Sequence, residues 1–506
     1  MIMMKNFRKW GYCRLSRPTP VIEGRGVASI IRNLTYLLGG RGVYFVTRFL
    51  YAVILARVFG PQVYGMISYG IAWYLLFLPL AKMGLEGVLS RDVGQNRQKG
   101  EQTATITLTL QIASITLATT AYCILSWFIE DDPPLRLMVF VFAFALIGRS
   151  LALWTENVYT AYEVNEYSFR QQSIFRPLEI ALGLVAVIIW REALLVVVIH
   201  GLVWCLQALY GLAVIRRRLF TLRLNKNYSD LRPIFLQGFP LGIAMLLMAL
   251  PYQGPLIFFR HFTSHGDTLG QLALAMQVFF MFFHIPLALG SVSLPVLSRA
   301  AAREDGKDRV FAETVLRFSL FFGTVLALLG AALGPWLTVQ IFGESYTQAG
   351  TLVGPVLLLM IPWSVGHALV RVLIARKRDF PVLICALIGA AFFSLTISEA
   401  VLRYGAVGAI WCAGTGMVLT MLSLIFFLRG HLALDLRASL IKPGLTALSA
   451  IGIFYALHAI CPKLALLVAF ATQAVGCYLL ACLTPQDMVG FSHFFRWVAK
   501  KIFSGK

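Results

Sequence analysis

Acidic side chains are scarce in this chain. Only 13% of its 506 residues are charged, and 23 Asp and Glu face 44 Lys and Arg. So little charge in a chain that is 58% hydrophobic, with a mean hydropathy of +0.76, excludes an ordinary soluble domain with a mixed surface. Long hydrophilic loops are missing too. None between the apolar runs exceeds about twenty residues, so there is no room for the soluble domain of a glycosyltransferase or the large acidic outer loop of a membrane polymerase or ligase. No Walker A, G-x-S-x-G or H-E-x-x-H sequence occurs, which removes ATP hydrolysis, acyl transfer by a nucleophile elbow and zinc proteolysis. The eight cysteines are scattered without C-x-x-C or Cys/His spacing, so neither a disulfide framework nor a metal site is expected, and no cofactor is implied. The first 33 residues are basic but lack the short apolar core and cleavage site of a signal peptide.

Apolar runs of about 20 residues, the length that crosses a bilayer as a helix, recur from Leu34 to Leu483. They number fourteen, and short alternating segments of the β-barrel kind are not seen. The expected fold is an all-α integral membrane protein. Its divisions are a cytoplasmic tail at 1–33, an N-lobe of six helices at 34–216, a basic linker at 217–232, a C-lobe of six helices at 233–428, two further helices within 443–483 and a tail at 484–506. With the N-terminus placed in the cytoplasm, roughly three quarters of the Lys and Arg fall in cytoplasmic segments, the positive-inside pattern. Arg216, Arg217, Arg218, Arg223, Lys226 and Arg232 crowd one loop, whereas Glu130, Asp131 and Asp132 occupy a loop on the other side. An even number of spans keeps this bias and puts both termini inside. The basic loops then meet anionic phospholipid headgroups, not nucleic acid, and the sequons at Asn33 and Asn227 face the cytoplasm, away from glycosylation.

The two groups of six echo each other. In the first, Tyr64-Gly65 opens a helix that passes Phe77-Leu78-Pro79-Leu80-Ala81 and closes at Val88-Leu89-Ser90-Arg91. In the second, Leu269-Gly270 opens one that passes His284-Ile285-Pro286-Leu287-Ala288 and closes at Val296-Leu297-Ser298-Arg299. Two lobes inserted in the same orientation and related by an axis along the membrane normal enclose a central cavity. Prolines within spans, among them Pro79, Pro240, Pro251, Pro255, Pro286, Pro295, Pro355 and Pro362, imply kinked helices.

Five cations sit inside the spans: Arg41, Arg48, Lys82, Arg149 and Arg371. Each costs roughly 2.5 to 3.5 kcal/mol on insertion scales at the bilayer centre, so each is expected to face something polar, and their sign suits an anion. Arg41 and Arg48 are two turns apart on one face. Guanidinium groups match phosphate oxygens with paired hydrogen bonds, which favours Arg48, Arg149 and Arg371 as the anion site, with Arg41 at its mouth. Lys82 and Glu86, four residues apart, are expected to pair within one helix; Glu86 and Glu156 are the candidates for ion coupling. Glu179, near the cytoplasmic end of its span, is read as a partner of Arg176 or another loop cation, His367 shares a face with Arg371, and His200 and His284 read as packing residues.

The segment Leu55-Ala56-Arg57-Val58-Phe59-Gly60-Pro61-Gln62-Val63-Tyr64-Gly65 resembles the first loop of polysaccharide flippases in the multidrug/oligosaccharidyl-lipid/polysaccharide (MOP) transporter superfamily. Arg32-Asn33-Leu34, Met83-Gly84-Leu85 and Ser90-Arg91 extend the likeness, which covers about 34–428. The resemblance implies alternating-access transport of a polyprenyl-diphosphate oligosaccharide from the inner to the outer leaflet of a bacterial cytoplasmic membrane, for O-antigen, exopolysaccharide or capsule. It implies a polysaccharide polymerase and a chain-length regulator as pathway partners. A lipid II flippase is the nearest alternative; a drug or ion antiporter and a membrane polymerase are more distant ones, the former because its cavity is expected to be acidic.

Overall fold

In the computed structural model, residues 27–95, 100–225, 227–263, 266–303, 307–376, 378–429, 434–458 and 460–479 are described. Residues 1–26 of the expected N-terminal tail at 1–33, and the expected tail at 484–506, lie outside them, and the first helix already begins at Val27, inside the expected N-terminal tail.

All regular structure among the described residues is helical. Apolar runs in lipid leave the backbone no water to bond, so each run satisfies its own N–H and C=O groups as a helix. The helices are α1 (Val27–Lys82), α2 (Leu85–Gln95), α3 (Gly100–Ile129), α4 (Pro133–Ala161), α5 (Glu166–Ile189), α6 (Ala193–Arg218), α7 (Tyr228–Phe262), α8 (Gly266–Arg303), α9 (Lys307–Phe342), α10 (Thr347–Leu358), α11 (Met360–Ala375), α12 (Asp379–Arg429), α13 (Lys442–His458) and α14 (Pro462–Leu479). Eleven helices among the described residues are long and apolar enough to cross a membrane. Two of them, Thr35–Lys82 and Phe380–Arg429, have 48 and 50 residues. Helices of that length extend about 70 Å when straight, more than twice a bilayer's hydrocarbon thickness. Each turns back at a glycine with positive φ, Gly60 (70°) and Gly405 (57°), a conformation that costs other residues strain. Counting their halves separately, and adding the apolar stretch Leu464–Gly476, accommodates fourteen crossings.

The expected repeat appears in the packing: α1 lies against α5 in the N-lobe as α7 lies against α12 in the C-lobe, while α13 and α14 dock on α9 through Leu328, Ala331, Ala450, Phe454, Ala465 and Ala469. The ends of the molecule differ in charge. Arg216, Arg217 and Arg218 close α6 at what is here the basic end; Glu130, Asp131 and Asp132 mark the acidic end. The sequon residue Asn227 serves as the N-cap of α7, its side chain accepting from the Ser229 N–H at 3.3 Å.

At the acidic end the lobes touch through equivalent parts of the repeat. Gly65 and Gly270 face each other so closely that a Cβ on Gly270 would stand 1.9 Å from the Pro61 carbonyl oxygen. Arg57, near the end of the first span, donates from Nε to the Ile341 carbonyl (2.7 Å) and from Nη2 to that of Gln340 (2.8 Å), capping α9 of the other lobe. Arg260, at the corresponding place in α7, reaches back to the loop after α3, 3.4 Å from Asp132 Oδ2 and 3.8 Å from Glu130 Oε1. The Tyr346 hydroxyl donates to the Ala56 carbonyl at 3.1 Å. These clasps join the lobes at the acidic end.

Candidate functional site

The intramembrane charges fall into two groups. The first is enclosed in the N-lobe between α1, α4, α5 and α6. Glu179, 1% exposed and midway along α5 instead of near its end, accepts from Arg48 Nη1 at 3.0 Å through Oε1 and from Arg176 through Oε2. His200 Nδ1 lies 2.6 Å from Glu179 Oε1, and its Nε2 is 3.2 Å from the Tyr74 hydroxyl. That hydroxyl accepts from Arg149 Nη1 at 2.8 Å, and the Tyr44 hydroxyl accepts from Arg149 Nη2 at 3.1 Å. Trp204 lies between two guanidinium groups, with Arg149 5.0 Å and Arg176 3.8 Å from its ring centroid. Two arginines, Arg48 and Arg176, thus share one fully engaged carboxylate, while tyrosine oxygens and an aromatic face offset the burial cost of the third, Arg149. Gln207 links this group outward: its Oε1 accepts from Arg176, and its Nε2 donates to Glu156 Oε1 at 3.2 Å.

The second group lies between the lobes, toward the basic end. Arg41 is exposed and Glu86, Glu156 and Arg371 are half-buried; all three lie within charge–charge range of Arg41, which groups residues of α1, α2, α4 and α11 at one partly exposed opening. Arg371 is four residues from the end of α11 and Glu156 five from the end of α4, about 6 to 8 Å along the helix axis. These charges are therefore shallower than the bilayer centre, while Arg48 sits two turns deeper than Arg41. Glu156 Oε1 also accepts from Gln172 Nε2 at 2.5 Å, and among the described residues no cation lies within ion-pair distance of it. Arg371 donates from Nε to His367 Nε2 at 3.4 Å, and among the described residues its two Nη groups have no hydrogen-bond partner.

Lys82 and Glu86 pair at 2.5 Å, but not within one helix. Chain direction changes between them at Met83 (φ 49°) and Gly84 (φ 65°), so the ion pair bridges a break. Left-handed backbone at a methionine is costly, and packing holds it: a Cβ on Gly242 of α7 would stand 2.9 Å from the Met83 Cα. His200, a packing residue by its place in the sequence, instead joins Glu179 to Tyr74. The only prior signal is a mid-span arginine, Arg48, in need of an acid. The side chain of His284 lies outside the described residues.

The fold has solved counterparts. The lipid II flippase MurJ in an inward closed conformation superposes with a TM-score of 0.65 at 12% identity, covering 90% of this chain and 100% of that one. The Vibrio cholerae MATE transporter VcmN, in a single-residue mutant form, gives 0.58 at 14% identity over 80% of this chain and 97% of that one. A MOP superfamily transporter from Pyrococcus furiosus gives 0.59 at 13%, over 79% and 94%. A search of curated protein sequences finds no match. Two repeated helical lobes with a polar interior make this a multi-pass membrane protein whose fold is similar to that of MurJ and the MATE transporters. The sequence pattern described as polysaccharide biosynthesis protein matches residues 30–301, more than half of the chain, and the protein belongs to that family.

Proposed function

We propose that this protein flips an anionic polyprenyl-diphosphate-linked oligosaccharide across the bacterial cytoplasmic membrane for O-antigen, exopolysaccharide or capsule assembly. The observation that carries the reading is the placement of Arg371 and Arg41, one from each lobe, at a shared opening where Arg371 offers two unoccupied Nη donors. A guanidinium edge of that kind donates to two phosphate oxygens at once.

The basic end faces the cytoplasm and the clasped acidic end faces outward, as the charge bias requires. The diphosphate reaches Arg371 and Arg41 from the cytoplasmic side while its lipid tail stays in the bilayer. Lys82 joins them when Glu86 yields to the incoming phosphate, and Arg149, whose only polar partners among the described residues are tyrosine hydroxyls, attracts it deeper. Arg48 is taken by Glu179 and holds the N-lobe together. Glu156, held by two neutral amides, is the carboxylate placed to carry a coupling proton. Inward closure of the lobes releases the Arg57 and Arg260 clasps, and the glycan leaves outward to the polymerase and chain-length regulator that use it. A cationic cargo, as for a drug exporter, is disfavoured by the sign of Arg41, Lys82 and Arg371.

The test is loss of surface polysaccharide in cells carrying Arg371→Ala, with protein level in the membrane unchanged. Normal polysaccharide in cells with both Arg41→Ala and Arg371→Ala would overturn the assignment.

A further inference from the structure

An arginine near a helix end, held only by its own flexible stem, samples many rotamers, and each must be lost when it grips a ligand. Arg371 is not left in that state. Trp363, His367 and Arg371 follow at intervals of four along α11, so they stack one turn above another on a single face. The bottom of this ladder is fixed to a different helix. The ring of Trp363, 8% exposed, lies with its centroid 3.9 Å from that of Phe283 and 6.3 Å from that of Phe279, both on α8. His367 lies nearly parallel on Trp363, with centroids 5.2 Å apart and an interplanar angle of 11°. Its Nε2 then receives Arg371 Nε. With Nε2 as acceptor, the imidazole carries its proton on Nδ1.

A guanidinium can meet an oxyanion through either of two edges, Nε with one Nη or the pair of Nη groups. The imidazole occupies the first edge and leaves the second. We propose that His367 is the positioning residue of the anion site: anchored on Trp363, it holds Arg371 Nε so that the Nη pair is presented to the diphosphate. This rests on the flippase reading above and adds the device that makes one arginine of the opening directional. Arg41, from the opposite lobe, adds a second positive charge within charge–charge range of Arg371.

The experiment measures binding of geranylgeranyl diphosphate, with the monophosphate alongside, to the full-length protein in lipid nanodiscs. His367→Phe keeps the aromatic ladder and removes the acceptor; His367→Gln keeps an acceptor. The first is expected to weaken diphosphate binding about ten-fold at unchanged melting temperature, the scale of one hydrogen bond to a charged group, and the second to stay within about three-fold of wild type. In an Arg371→Lys background, which has no Nε–H to hold, His367→Phe is expected to cost nothing further. Should His367→Phe not insert, His367→Leu removes the same acceptor. Wild-type affinity in His367→Phe, equal losses in the Phe and Gln variants, or an undiminished loss in the lysine background would each overturn the positioning role while leaving the site standing. Absence of diphosphate binding by the wild type would remove the flippase reading and this role with it.

Discussion

Glu179→Gln is the sharpest probe of the division between the enclosed network and the opening. Glutamine keeps the shape of the side chain and loses its charge, at a position that is 1% exposed and that receives Arg48 at 3.0 Å, Arg176, and His200 at 2.6 Å. Removing one partner of a buried ion pair costs about 3 to 5 kcal/mol, because the remaining charge is left uncompensated. Two arginines lose their carboxylate here. The lower limit is the better figure, since Arg176 still has Gln207 and the new amide oxygen can accept one bond. About 3 kcal/mol is roughly a hundred-fold in the folded population, and corresponds to a fall in melting temperature of several degrees or more. The assay is thermal unfolding of the detergent-solubilised protein followed by size exclusion. Adding Arg48→Gln to Glu179→Gln removes one of the stranded cations and is expected to recover part of the loss, a coupling that a double-mutant cycle reads directly. A Glu179→Gln protein that melts and transports like the wild type would refute the view that this carboxylate holds the N-lobe interior together, and would return Arg48 to the list of free anion ligands.

Other consequences concern the lobe contacts and the opening. Arg57→Ala loses two charge-assisted bonds to the carbonyls of Gln340 and Ile341, each worth about 1.5 to 3 kcal/mol, and is expected to open the acidic end, read as faster labelling of a Val53→Cys probe by an impermeant thiol reagent. Gly270→Ala would place its Cβ 1.9 Å from the Pro61 oxygen, so the protein is expected to insert normally, label like Arg57→Ala and transport poorly. Unchanged labelling in both would argue that the clasps do not hold the gate. Glu86→Gln frees Lys82 from its 2.5 Å pair, and is expected to tighten polyprenyl diphosphate binding severalfold at low salt, with the gain lost as salt screens the added charge.

Much of the architecture was legible because lipid leaves a chain few options: long apolar runs must be helices, and their lengths can be counted. The echo between Tyr64-Gly65 and Leu269-Gly270 was visible as spelling; that these glycines touch across the lobe interface was not, since sequence carries no distance between repeats. Arg57 lies in the segment that carries the family resemblance, yet its partners are 283 and 284 residues away. The break between Lys82 and Glu86 was not legible because the strained residue before Gly84 is a methionine, held by close packing with Gly242 on a distant helix. Spacing set Arg41 and Arg48 two turns apart on the first helix and could not tell that Arg48 meets Glu179, 131 residues away, while Arg41 lies at the opening. Helical periodicity orients a side chain; only the packing of several helices decides whether what it faces is an acid or a substrate.

The central claim is that the opening beside Arg371 carries a lipid-linked diphosphate. Its most direct measurement is translocation of a polyprenyl-diphosphate oligosaccharide between the leaflets of proteoliposomes containing the full-length protein, wild type against Arg371→Ala. Wild-type protein should move the glycan to the far leaflet, and Arg371→Ala, reconstituted to the same level, should not exceed protein-free vesicles. Equal translocation by the two proteins would contradict the claim.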